Sequence, residues 1–147
     1  MRTALPDLPL LEVAGAIQRK DLSPVEVVAE VLARIDTLDP ALNAYVTVLH
    51  DSARAAADQA EQEILRGDYR GPLHGIPISV KDLFATRAIR TTAGSRVLAD
   101  AVPDEDATVV ERLQAAGAIL VGKTNMLEFA YASAHPDFGT TKNPWDL

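Results

Sequence analysis

Few positions in this 147-residue chain pair a reactive side chain with a neighbourhood that could use it. Lys81 closes the apolar run Ile76 to Val80 and precedes Asp82, at the end of an expected buried strand. On local grounds such a lysine is solvated or paired with a carboxylate, here Asp82, because lysines are almost never fully buried. A second lysine completes Gly117-Ala-Ile-Leu-Val-Gly122-Lys123-Thr124, which satisfies the phosphate-loop expression G-x-x-x-x-G-K-[ST] letter for letter. A phosphate loop needs a strand before its first glycine and an open turn inside. Here a helical pattern precedes Gly117, and four strand-forming residues fill the turn. Nucleotide binding is therefore not expected. His50, His74 and His135 are scattered without metal-ligand spacing, so surface or loop roles are expected for them. Ser79, Ser95 and Ser133 lack the glycine-flanked elbow of a hydrolase nucleophile. A Ser79–Lys81 dyad fails because residues two apart on a strand lie roughly 6 to 7 Å apart along it.

Regular elements must hold these residues. Ser23-Pro24-Val25-Glu26 is a capping box with proline at the first helical position, and Val25, Val28, Leu32 and Ile35 continue at helical spacing until Asp39-Pro40 stops the run. Asn43 to Leu49 reads as a short strand. Ser52 marks the start of a second helix, whose Ala53, Ala56, Ala57, Ala60 and Ile64 share a close-packed face and which ends near Gly67. Glycines and prolines from Asp68 to Gly75 turn the chain into the strand Ile76 to Val80. Asp104, Glu105 and Asp106 favour the N-terminus of a helix with Val109, Val110, Leu113 and Ala116 inward, ended by Gly117. Ala118 to Val121 then forms a strand, and Asn125 with Glu128 caps a last helix through Met126, Phe129 and Ala130. Alternating strands and helices predict an α/β layer with a parallel strand pair.

Composition limits the function classes. The residues are 48% hydrophobic and 24% charged, with a net charge of -7, so the chain has the makeup of a globular domain and no basic footprint for nucleic acid or anionic membrane. No cysteine is present, which removes disulfides and thiolate metal sites. No apolar run approaches a membrane span, and the first thirty residues lack a signal-peptide pattern. A cytoplasmic location is the default expectation.

Four blocks in order resemble the amidase signature enzymes. They are Gly71-Pro-Leu-His-Gly-Ile-Pro-Ile-Ser-Val-Lys-Asp82; Thr91-Thr92-Ala93-Gly94-Ser95; Gly122-Lys123-Thr124-Asn125-Met126 with Glu128-Phe129-Ala130-Tyr131; and Phe138-Gly139 through Asn143-Pro144-Trp145-Asp146. The resemblance implies the N-terminal part of an α/β/α sandwich with a mixed sheet, spanning residues 1–147 as a portion of one amidase domain. It also implies amide C–N hydrolysis by a Ser-cisSer-Lys mechanism, with Lys81 as the base and no cofactor. In that mechanism the lysine must be neutral, a state that burial favours. It takes a proton through a bridging serine from a nucleophilic serine, while backbone N–H groups hold the oxyanion. The family's serine-rich stretch follows the Asn-Pro-Trp-Asp block and has no counterpart among these residues. The chain is therefore expected to be truncated before it and inactive alone. Activity in a restored enzyme is expected to be lost in Lys81→Ala, but not in a Lys123→Ala variant that remains folded.

Departures from the family pattern bear on loops and substrate. Ala88 and Ala132 stand where glycine is usual, so alanine must make two turns that often use positive φ. Tyr131 replaces the methionine typical of the tRNA amidotransferase relatives and is a candidate substrate-pocket wall. The expected partner is a small-molecule amide, with neither direct nucleic acid nor membrane, and homo-oligomer formation stays open. Two alternatives remain: the A subunit of a tRNA-dependent amidotransferase, and a non-catalytic remnant or binding module.

Overall fold

The computed structural model describes residues 8–131 and 133–146. Its elements are α1 (Leu10–Gln18), α2 (Pro24–Leu42), β1 (Tyr45–Val48), α3 (His50–Arg66), β2 (Pro77–Lys81), α4 (Thr108–Ala115) and β3 (Ile119–Thr124). Single 3-10 turns lie at Arg96–Leu98 and Glu128–Ala130. The three strands form one mixed sheet in the order β1-β3-β2. β1 is antiparallel to β3, with Tyr45 opposite Thr124 and Val48 opposite Gly122. Ile119 N–H donates to Ile76 O at 2.8 Å and Asp82 N–H to Thr124 O at 3.1 Å, so β2 and β3 run in the same direction, joined through α4.

Two compact units divide the chain. The first contains residues 8–35, Leu49–Ile78 and Leu113–Val121. Its core packs Val13, Ala14 and Ile17 of α1 with Val27, Ile64 and Ile76. The capping box of α2 forms as its residues dictate: Val25 N–H donates to Ser23 Oγ at 2.9 Å, and Ser23 N–H donates to Glu26 Oε2 at 3.1 Å. Along α2 the buried positions are Val27, Val28, Leu32 and Ile35, with Val25 only half-buried. The small side chains of Ala53, Ala57 and Ala60 give α3 a close-packed face, and Gly67 ends it at φ 99°. Ser52 does not start that helix, which begins two residues earlier at His50.

The second unit contains Asp36–Val48, Ser79–Arg112 and residues 122–146. Here α2 runs through Pro40 to Leu42 instead of stopping at Asp39-Pro40, so the proline falls in the last turn with only two helical residues beyond it. Asn43 at φ 53° ends the helix, and Asp39 Oδ1 accepts from Ala44 N–H at 2.6 Å and Tyr45 N–H at 3.1 Å. Ala88 does take φ 60°. Ala132 lies outside the described residues.

Two expected elements differ. Val109 is exposed on α4 and only Val110 is fully buried there. Asp106 accepts from Arg87 N–H at 2.6 Å and thereby also ties down the preceding loop. The last helix does not form, and 125–130 is an irregular loop with one 3-10 turn in which Phe129 and Ala130 have φ of 52° and 59°. Both supposed caps are committed to other partners. Asn125 Nδ2 donates to the carbonyls of Asn43, Phe138 and Gly139, and Glu128 Oε1 accepts from Ser95 Oγ at 2.6 Å.

Candidate active site

Strand alternation sorts the residues at the end of β2 into two faces. Val80 and Asp82 are buried, whereas Ser79 and Lys81 are exposed. Asp82 is thus on the opposite face from Lys81 and pairs with Lys123, with Oδ1 to Nζ at 3.6 Å and both side chains inaccessible. Ser79 Oγ is engaged by Tyr45 Oη at 2.8 Å.

Lys81 lines a hollow of about 300 Å³ within the second unit, together with Asn125, Met126, Leu127, Ala134, Gly139 and Thr140. That volume lies at the lower end of small-molecule sites, which run from roughly 300 to 1,000 Å³. Its rim is fixed by amide side chains. Asn125 Nδ2 bonds Phe138 O at 3.3 Å and Gly139 O at 3.2 Å, while Asn43 Nδ2 bonds Phe138 O at 2.8 Å and Thr141 Oγ1 donates to Asn43 O at 2.9 Å. Tyr131 is 95% exposed and is not among the lining residues.

Behind the hollow, the polar groups of the other face are buried. Lys123 Nζ donates to Phe84 O at 2.7 Å, Thr91 Oγ1 at 2.6 Å and Thr86 Oγ1 at 3.1 Å. Burial has the largest influence on this ammonium and pulls it below the usual lysine range, while the Asp82 carboxylate opposes that shift. Asp82 Oδ2 accepts from Thr92 N–H at 2.9 Å and Thr92 Oγ1 at 2.5 Å.

The glycines of the phosphate-loop match have packing roles. Gly122 and Lys123 lie inside β3, which extends from Ile119 to Thr124 beyond the expected strand. Gly117, at φ 87°, packs against His74, whose Cδ2 a Cβ there would meet at 2.5 Å.

His74 is no surface residue. In the first unit it is 1% exposed, with Nδ1 accepting from Arg70 N–H at 3.1 Å and Nε2 3.1 Å from Glu63 Oε2. Burial lowers its pKa most, the Arg70 charge adds to that, and Glu63 opposes it. Scattered histidines in a sequence give no sign of such burial. Among the described residues no group of three His, Cys, Asp or Glu could hold a metal ion, and no helix is long and apolar enough to cross a membrane.

Together these features define an α/β protein that presents a strand-end lysine at a small hollow. The chain belongs to the amidase family, whose sequence profile matches residues 26–147. It is 47% identical over 143 residues to the A subunit of the glutamyl-tRNA(Gln) amidotransferase of Geobacter metallireducens, covering 96% of this chain and 29% of that protein. A Mycobacterium tuberculosis protein designated as the amidase AmiD is 48% identical over 143 residues, covering 97% and 30%. Among solved structures, fatty acid amide hydrolase superposes with a TM-score of 0.92 at 28% identity, covering 98% of this chain and 26% of that one. The peptide amidase of Stenotrophomonas maltophilia gives 0.80 at 34% identity, covering 85% and 26%. The chain thus spans about three-tenths of the length of these curated relatives.

Proposed function

We propose that this chain supplies the lysine base of an amide C–N hydrolase, with the nucleophilic and bridging serines carried on a segment outside these 147 residues. One observation carries the reading: the hollow beside Lys81 is lined from three of the four family blocks, by Lys81, by Asn125 and Met126, and by Gly139. In this mechanism Lys81 Nζ removes a proton through the bridging serine as the nucleophile attacks the amide carbonyl, and the proton returns to the leaving amine. Water then releases the acyl group.

Lys81 is exposed on the open face of β2, so the desolvation that suits a basic amine has to come from whatever covers the hollow. Tyr131 fits the same picture as a wall that becomes one only when covered, since 95% of its surface is accessible here. The amidotransferase alternative has equal support from overall identity, 47% against 48%. Tyr131 and the Asp82-Leu83-Phe84 sequence favour the general amidase.

Joining a serine-bearing segment to this chain, in one polypeptide or two, tests the reading. Hydrolysis of simple amides without tRNA or ATP is expected. Ammonia transfer to a charged tRNA, with no hydrolysis of simple amides, would favour the amidotransferase instead.

A further inference from the structure

We propose that Lys123 and Asp82 form a positioning pair for Lys81, holding its backbone from the face of the sheet that substrate never reaches. The inference rests on the reading of Lys81 as the base.

The geometry carries the argument. Asp82 is hydrogen-bonded at three of its four polar atoms: its N–H donates to Thr124 O at 3.1 Å and its carbonyl accepts from Ala93 N–H at 3.0 Å. Oδ2 takes both donors of Thr92, and Oδ1, which has no hydrogen bond, faces Lys123 Nζ at 3.6 Å. An ammonium has three donors, and Lys123 uses them on Phe84 O, Thr86 Oγ1 and Thr91 Oγ1. Its contact with Asp82 is therefore charge against charge. Lys123 straps both ends of the 84–91 loop, and Asp82 ties the residue after Lys81 to Thr92 beyond it. A buried ion pair contributes little net stability but is costly to break, which suits a role in fixing one geometry. Because Lys81 and Asp82 are adjacent and point to opposite faces, any tilt at Asp82 swings the Lys81 side chain across the hollow. On this proposal Lys123 bears on the site although it touches no reacting atom, a role the sequence does not suggest.

The chain's lysines are Lys20, Lys81, Lys123 and Lys142, few enough for lysine-selective carbon-13 NMR of the ε-carbons to resolve each one. In Lys123→Met the Lys81 signal is expected to shift and broaden by more than any change at Lys20, and Lys123→Arg is expected to restore it at least in part. Val110→Ala, a core truncation in the same unit, serves as a destabilised control and should leave Lys81 unmoved. If Lys123→Met does not fold, Thr91→Val removes one Nζ bond and should shift the same signal less. An unchanged Lys81 signal in the folded variant, or an equal change in Val110→Ala, overturns the proposal. Failure of the amidase reading looks different: Lys81 responds to Lys123, yet no amide hydrolysis appears when a serine-bearing segment is supplied.

Discussion

The ring of Tyr45 occupies the space that a side chain at Gly122 would need. A Cβ at Gly122 would meet Tyr45 Cδ1 at 2.7 Å and the Thr47 carbonyl at 2.8 Å. Glycine on the central strand thus lets the phenol of β1 cross β3 and reach Ser79 on β2. Gly122→Ala is accordingly expected to destabilise the chain by about 1–3 kcal/mol through overpacking against backbone that cannot move aside. Urea denaturation of the variant measures this, and an unchanged midpoint would contradict the packing role.

The same strand leaves no phosphate cradle between Gly117 and Thr124, because the intervening backbone pairs with its neighbours and Lys123 is buried. Calorimetric titration with magnesium-ATP should give no saturable heat. Saturable binding abolished by Lys123→Arg would restore the nucleotide reading.

Much of the fold was legible because its residues had one reading each. Ser23 and Glu26 have side-chain oxygens placed to accept from Val25 N–H and Ser23 N–H, Pro24 brings no donor that needs a partner, and the alanines of α3 and Gly67 mark a face and an end. The last helix was misread because Asn125 and Glu128 have capping side chains whose partners, Phe138, Gly139 and Ser95, are distant in sequence. Lys81 stands out as a candidate through the ordered blocks, not through local chemistry. The burial of Lys123 left a trace in hindsight, since strand alternation from Val121 puts Lys123 on a buried side. His74 left none, as its pairing with Glu63 depends on how α3 meets the loop before β2.

Acid should weaken the first unit through His74. Its pKa in the fold lies below the unfolded value of 6.5, so the folded state binds fewer protons and stability falls as pH drops from 6.5 through the lowered value. Glu63, also lowered from 4.5, chiefly by its Gln59 hydrogen bond and also by Arg70, acts in the same direction at lower pH. Melting temperature is expected to decline on acidification from about pH 7 to about pH 5, and less steeply in His74→Gln. A wild-type midpoint that rises over that interval, or an equally steep slope in the variant, would contradict the downward shift assigned to buried His74.

The most direct measurement of the central claim is the rate of simple amide hydrolysis by this chain joined to a serine-bearing segment, compared between wild type and Lys81→Ala. A general base contributes roughly 10²- to 10⁴-fold, so the variant is expected to lose about that much while keeping its fold by circular dichroism. A folded Lys81→Ala protein that hydrolyses amides at the wild-type rate would show that Lys81 is not the base.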